Sequence, residues 1–181
     1  FKETEYDKVI FIDADILCLG DVSHLINYDC RYFSACLDVN MKIFWNTQFN
    51  IPSFHEFNTG LFVIPKRLLT DGTKPTTIFN DLLILANKYP DAKLGDQTIL
   101  NRYFAHKTIT KLPGKYNAKK EIYSRQKYCD EQDDVRLLHF TGADKPFLID
   151  NQERRYVKTK NNLYYDILYE LYNNYFIKIK K

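Results

Sequence analysis

A short apolar run that leads directly into two acidic residues is the feature that most constrains the fold of this chain. Residues 8–12 (KVIFI) are too few for a helix and indicate a strand buried on both faces of a parallel or mixed sheet. Asp13 and Asp15 follow at its end, and alternate side chains of a strand point to the same side. Ligands in open α/β sheets bind beyond the carboxyl ends of strands. The pair therefore predicts a Mg²⁺ or Mn²⁺ site, the alternative being two solvated acids.

Strand-like and helix-like segments alternate along the rest of the chain, which favours an α/β fold. Further apolar runs predict strands, and apolar residues at helical spacing predict helices. The predicted strands are residues 32–37, 57–64 and 135–140, and the predicted helices are a short one through Leu25 and Ile26, 78–89, 96–104 and 163–175. Residues 40–56 are irregular and aromatic and predict a long loop, which in compact domains is often functional.

Composition narrows the class of protein. The 181 residues, with 45% hydrophobic and 27% charged side chains, suffice for one domain with a buried core. No run of about 18 apolar residues predicts a transmembrane helix, and a net charge of +3 is too small to indicate a nucleic-acid partner. The four cysteines show no paired spacing and no glycosylation sequon occurs, so we expect a cytoplasmic protein. Homo-oligomerisation is left open.

A second group of polar residues follows the last predicted strand. His139 comes at the end of that strand, and a neutral imidazole can bind a borderline metal such as Mn²⁺. Gly142 allows the backbone to approach a bulky anion, and Lys145 offers a positive charge to phosphate. A histidine at such a position is also a common satisfied core residue. The order of histidine, glycine and lysine after a strand favours a site.

Four sequence blocks carry a resemblance to a known family. YDKVIFIDADIL, FNTGLFVI, GDQTILN and HFTGADKP occur in the order found in glycogenin-like and galactinol-synthase-like retaining glycosyltransferases. The resemblance implies a GT-A-like mixed sheet flanked by helices, bound Mn²⁺ (or Mg²⁺), and transfer of a hexose from a UDP-sugar. The acceptor would be a carbohydrate, a protein or a lipid-linked molecule. Residues 1–150 would be the catalytic region, and residues 151–181 an amphipathic helix and basic tail packed on the same domain.

The resemblance also assigns roles to individual residues. Asp13, Asp15 and His139 would hold the metal. The residues implied to hold the diphosphate are Gly142 and Lys145, and those implied to line the sugar and acceptor site are Asn58, Thr59, Gly60, Asp96 and Gln97. Asp96 and Gln97 follow Gly95 at a predicted helix N-terminus, and they are the candidates for stabilising positive charge on the sugar ring; an ordinary helix cap is the alternative for Asp96.

Two departures from the family pattern affect what we expect. Phe147 stands where family members usually carry tryptophan. Twelve residues precede Asp13, whereas family members have many more. The resemblance therefore implies that the first nucleotide-binding strands lie upstream in a parent protein, and that this chain alone binds UDP-sugar poorly.

Two other functions remain open at this point. A haloacid-dehalogenase-like phosphatase also begins with an apolar strand and Asp-x-Asp, in which one aspartate is the nucleophile. That reading leaves the GDQTILN and HFTGADKP blocks unexplained. The other alternative is a non-catalytic sugar-binding relative or fragment.

Overall fold

A computed structural model describes residues 5–28, 31–38, 56–70, 76–120 and 135–142. The described strands are β1 (Lys8–Ile12), β2 (Ile16–Cys18), β3 (Ser34–Leu37), β4 (Phe57–Pro65), β5 (Thr110–Lys111), β6 (Ala118–Lys119) and β7 (Leu137–His139). The described α-helices are α1 (Ser23–Asn27), α2 (Lys66–Leu69), α3 (Ile78–Lys88) and α4 (Asp96–Phe104), and a 3₁₀ turn spans Gly114–Tyr116. The predicted strands and helices within these ranges are confirmed, while the aromatic loop and the C-terminal helix lie outside them.

The strands form two mixed sheets. The first has the order β1-β4-β3-β5, in which β4 is antiparallel to both neighbours and β5 is parallel to β3. The second has the order β2-β7-β6, with β2 antiparallel and β6 parallel to β7. The chain passes from the first sheet to the second in the short segment between β1 and β2, and this crossing places the two acids.

The core lies on both faces of β4, all nine residues of which are buried. Leu61 and Val63 belong to a cluster on one face, together with Leu25 of α1. Phe62 and Ile64 belong to the cluster on the other face, which includes residues of α4. Because alternate strand residues serve opposite faces, a strand covered on both sides must be apolar nearly throughout. This explains the continuous run at the end of FNTGLFVI.

The prediction that residues 8–12 are buried on both faces is wrong. In the described part of the sheet β1 lies at the edge and pairs with β4. Val9 and Ile10 pack against the two core clusters, but Phe11 and Ile12 remain 40% and 43% exposed. An apolar run shows that a segment favours a strand, yet it does not distinguish an edge strand from a central one.

Helix α4 connects the core to the site. It packs against β4 and α3 and buries Ile99, Leu100 and Phe104. Its N-cap residue is Gly95, whose φ of +55° lies in the region that glycine adopts most readily. No helix within the described ranges has both the length and the apolar character of a membrane span.

Candidate active site

The two aspartates lie in a turn and not in a strand. Strand β1 ends at Ile12, and the Asp13–Asp15 segment turns the chain into β2. The Asp13 N–H donates to the Gly60 carbonyl (2.8 Å), and the Phe140 N–H donates to the Asp15 carbonyl (3.0 Å). The carboxylates do converge as predicted, but strand alternation does not bring them together. Backbone hydrogen bonds to β4 and to the residue after β7 position them.

His139 reaches the acids through the pairing of β2 with β7. Ile16, the residue after Asp15, lies opposite His139 in that register. The His139 Nε2 atom is 3.2 Å from Asp15 Oδ1 and 3.8 Å from Asp13 Oδ2. One ligand atom from each of the three residues lies within 4.8 Å of the others.

These three residues fit a divalent cation. Metal–ligand bonds to oxygen and nitrogen are about 2 Å long, so two ligand atoms of one ion lie at most about 4 Å apart. His139 Nε2 lies within that distance of both carboxylates, at 3.2 and 3.8 Å. The whole cluster, within 4.8 Å, needs only a small side-chain shift to close on one ion. Two carboxylates and an imidazole are donors that Mn²⁺ accepts. The imidazole is 5% exposed, whereas the Asp13 side chain is 38% exposed. The cluster therefore has a buried nitrogen side and a side open to solvent at Asp13.

Gly60 provides the space in which the imidazole lies. A Cβ at this position would be 2.2 Å from His139 Cε1, 2.4 Å from His139 Nδ1 and 2.9 Å from Asn58 Oδ1. Real Cβ atoms do not approach that closely, so any side chain here would displace the ring. The expected role of Gly60 was to line the sugar site; in the structure its missing side chain makes room for a candidate metal ligand.

Asn58 and Gln97 connect β4 to the start of α4. The Asn58 Nδ2 group donates to Gln97 Oε1 (3.0 Å), and Asn58 Oδ1 accepts from the Gly60 N–H (2.9 Å). The Thr59 N–H also donates to Gln97 Oε1 (3.4 Å). Asn58, Thr59 and Gln97 are all buried. The structure thus brings these predicted residues together, with Gly60, beside the acid pair.

Two residues that the sequence analysis missed complete this network. Asn117 donates from Nδ2 to Asn58 Oδ1 (2.8 Å), and its Oδ1 lies 2.8 Å from His139 Nδ1. Asp38, at the end of β3, accepts from Gln97 Nε2 (2.7 Å) and forms an ion pair with Lys119. An asparagine that follows a Pro-Gly turn is ordinary turn chemistry, so the local pattern gave no signal for Asn117.

Three predicted residues lie apart from this network. Asp96 is exposed in the first turn of α4, although its neighbour Gln97 is buried. Gly142 is exposed with a φ of +78°, a conformation that favours glycine with or without an anion. Lys145 lies outside the described residues. The roles assigned to these three remain predictions.

Replacing Asn58 by Asp tests whether the hydrogen bond from the Asn58 amide to Gln97 Oε1 stabilises the fold. The shape is kept, but the donor to Gln97 is lost. Rotating the Gln97 amide would then set its oxygen against Asp38, so one oxygen–oxygen contact remains in either orientation. We expect a loss of about 1–3 kcal/mol in the free energy of unfolding, measured by urea denaturation.

The matched control for this variant is Asn80→Asp, on the exposed surface of α3. It makes the same chemical change and should alter stability by no more than about 0.5 kcal/mol. Equal unfolding midpoints for the two variants would show that the Asn58–Gln97 bond contributes nothing measurable.

A comparison with known families identifies the chain. The family model described as "Glycosyl transferase family 8" matches residues 1–150. The chain belongs to glycosyl transferase family 8. The match includes the acid pair, β4, α4 and His139, and it confirms the resemblance that the four sequence blocks indicated. It also favours a glycosyltransferase over the phosphatase alternative.

Individual relatives agree with the family 8 assignment. The chain is 24% identical to galactinol synthase 4 of Arabidopsis thaliana, covering 94% of this chain and 55% of that protein. It is 32% identical to glycogenin-1 of Mus musculus, covering 80% of this chain and 38% of that protein. This family 8 chain spans about half the length, or less, of the curated relatives it matches.

Solved structures confirm the fold. The galactosyltransferase LgtC, in complex with donor and acceptor sugar analogues, superposes with a TM-score of 0.56 at 20% identity. The superposition covers 81% of this family 8 chain and 56% of LgtC. The expected GT-A-like arrangement of mixed sheets flanked by helices is thereby confirmed.

Proposed function

We propose that this chain carries the sugar-transfer site of a metal-dependent retaining glycosyltransferase. Its donor would be a UDP-hexose, and its acceptor a carbohydrate, a protein or a lipid-linked molecule. The observation that carries the proposal is the convergence of Asp13, Asp15 and His139 to within 4.8 Å, in a chain of family 8. The names of its relatives, among them galactinol synthases, a lipopolysaccharide glucosyltransferase and glycogenin, support sugar transfer.

The proposed cation is Mn²⁺, with Mg²⁺ as the alternative. Asp13 and Asp15 would bind it through carboxylate oxygens and His139 through Nε2; the imidazole favours Mn²⁺ because Mg²⁺ prefers an all-oxygen shell. When bound, a divalent cation neutralises the negative charge that develops on a leaving diphosphate.

Sugar transfer places two demands on the protein's own residues. The bond from the anomeric carbon to the diphosphate oxygen breaks, and its electron pair stays on that oxygen. The acceptor hydroxyl oxygen forms the new bond to the anomeric carbon, and its proton passes to the departing diphosphate oxygen. Lys145 is proposed to meet the negative charge of the leaving group. Asp96 is proposed to stabilise the positive charge on the ring, and the buried amides of Asn58 and Gln97 hold the neighbouring backbone rigid, as a preorganised site requires.

The deciding experiment measures UDP release from UDP-hexoses by the intact protein, with and without Mn²⁺. We expect release that needs the cation, stops with EDTA and returns when Mn²⁺ is added. Phosphate release from a phosphomonoester, without UDP release, would instead establish the phosphatase alternative. Binding of a UDP-hexose without turnover would establish the non-catalytic alternative.

The role of Asp96 can be tested separately from the metal. We expect Asp96→Asn to lower kcat about 10²-fold, the lower end of the cost of removing one preorganised electrostatic group. Its Mn²⁺ affinity should not change, because Asp96 lies outside the acid–histidine cluster. The measurement is steady-state kinetics at saturating UDP-hexose beside a Mn²⁺ titration. Unchanged kcat would leave Asp96 as a surface residue of α4.

A further inference from the structure

We propose that Asn117 is a positioning residue that fixes the tautomer of His139. It would hold the ring proton on Nδ1, so that Nε2 offers its lone pair to a divalent cation beside Asp13 and Asp15. The cation in this inference rests on the proposed function. The tautomer follows from the hydrogen-bond network alone, because two groups in that network have a fixed character. The Gly60 N–H can only donate, and the Asp38 carboxylate accepts.

The first fixed group is the backbone N–H of Gly60, which can only donate. It lies 2.9 Å from a side-chain atom of Asn58, so that atom must be the oxygen. The Asn58 nitrogen then faces Gln97 Oε1 at 3.0 Å. The orientation of the Asn58 amide is therefore set by the backbone of its own strand.

The second fixed group is the Asp38 carboxylate at the opposite end of the network. It forms an ion pair with Lys119, and a carboxylate oxygen accepts, so the Gln97 atom 2.7 Å away is the nitrogen. Gln97 Oε1 is then left to face Asn58 Nδ2, which agrees with the Asn58 orientation that the Gly60 N–H fixes. The Gly60 N–H and the Asp38 carboxylate therefore fix the same orientations of both amides independently.

Asn117 connects these two amides to the imidazole of His139. Because Asn58 Oδ1 is an acceptor, the Asn117 atom 2.8 Å from it is the nitrogen, and Asn117 Oδ1 faces His139 Nδ1 at 2.8 Å. An oxygen there requires a proton on Nδ1. In the neutral ring the lone pair then lies on Nε2, which is 3.2 Å from Asp15 Oδ1. At this distance a carboxylate oxygen faces Nε2, a contact that a shared divalent cation or a proton on Nε2 would stabilise.

Residues that hold the second nitrogen of a metal-binding histidine fix the orientation of the ring, and their loss weakens metal affinity about 10–100-fold. Asn117 is suited to this role because hydrogen bonds hold both its amide nitrogen, at Asn58 Oδ1, and its backbone, at Gly114. It is 2% exposed, and its backbone N–H donates to the Gly114 carbonyl at 2.9 Å. The amide therefore cannot follow the ring if the ring rotates.

Three variants separate positioning of the ring from general support of the fold. Asn117→Ala removes the oxygen at Nδ1 and should raise the Mn²⁺ Kd about 10–100-fold. Asn117→Asp keeps that oxygen but loses the donor to Asn58; its stability should fall, while its Mn²⁺ Kd stays near the wild-type value. Asn101→Ala is the matched control, since Asn101 bonds to the backbone of Phe57 and Gln97 and does not touch His139.

The affinities are measured from the electron paramagnetic resonance signal of free Mn²⁺. The tautomer is read from the ¹⁵N spectrum of labelled imidazoles with Zn²⁺ as a diamagnetic probe, using His139→Ala to assign the signal. We expect a protonated Nδ1 and a metal-bound Nε2 in the wild type, and loss of this state in Asn117→Ala.

Several results would overturn the inference. They are a metal-bound Nδ1 in the wild type, equal weakening of Mn²⁺ binding by Asn117→Ala and Asn117→Asp, and weakening by Asn101→Ala to the same degree. A wild-type chain that binds neither Mn²⁺ nor Zn²⁺ would instead refute the metal site of the proposed function. Wild-type binding that survives Asn117→Ala unchanged would refute the positioning role alone.

Discussion

Replacing Asp15 by Asn is expected to reduce Mn²⁺-dependent transfer from a UDP-hexose about 10³-fold, the upper end of the cost of losing one electrostatic group in a catalytic site. The substitution keeps the shape of the side chain but removes one of the two negative charges beside His139 Nε2. The hydrogen bond that fixes this turn joins the Asp15 carbonyl to the Phe140 N–H and uses no side-chain atom. The effect should therefore fall on the metal and spare the fold.

The measurements for Asp15→Asn are kcat at saturating Mn²⁺ and donor, the Mn²⁺ Kd and the urea midpoint. Asp91→Asn, an exposed acid between α3 and α4, is the matched control and should leave all three unchanged. Turnover by Asp15→Asn within a few-fold of the wild type, at the same Mn²⁺ concentration, would remove Asp15 from the proposed site.

The elements that could be predicted from sequence lie in continuous apolar runs or in segments with apolar residues at helical spacing. The buried run of β4 and the helical spacing of α3 and α4 gave correct positions. The strands β2, β5 and β6 have two or three residues, too few for a period to be recognised. They form through pairing with distant segments, which is a tertiary property.

In the candidate site, too, some residues could be predicted from the sequence and others could not. The sequence indicated Asp13, Asp15 and His139 because acids and a histidine follow apolar runs, and the structure brings the three together. It did not indicate Asn117, whose partner Asn58 is 59 residues away. A buried amide is recognised by the donors and acceptors around it, and these become neighbours only when β4 and β7 approach.

Replacing Gly60 by Ala tests how closely β4 must approach the His139 ring of β7. The added Cβ would lie 2.2–2.4 Å from two atoms of the His139 ring. The ring cannot yield freely, because Asn117 holds its Nδ1 and the surrounding strand β4 is buried along its whole length. We expect a loss of about 1–3 kcal/mol in the free energy of unfolding, the usual cost of overpacking a core. We also expect Mn²⁺ affinity to fall about 10²-fold, the upper end of the loss when a metal-binding histidine is no longer held in position, since the ring must move away from the acids.

Gly20→Ala is the control for this substitution. Its Cβ would meet the Nη1 end of the Arg136 side chain at 2.8 Å, and a flexible side chain can move aside. It should cost no more than about 0.5 kcal/mol and leave Mn²⁺ binding intact.

A double-mutant cycle identifies the ring as the group that Gly60 accommodates. If the clash with His139 causes the instability, Gly60→Ala should cost much less stability in a His139→Ala background, where the ring is absent. The interaction free energy between the two substitutions should approach the full loss of stability caused by Gly60→Ala alone. It should fall short only by the part that comes from the contact of the new Cβ with Asn58 Oδ1 at 2.9 Å. Mn²⁺ binding should remain lost in the double variant, because the nitrogen ligand is gone. Additive effects on stability would mean that Gly60 is required for the backbone of β4 and not for the imidazole beside it.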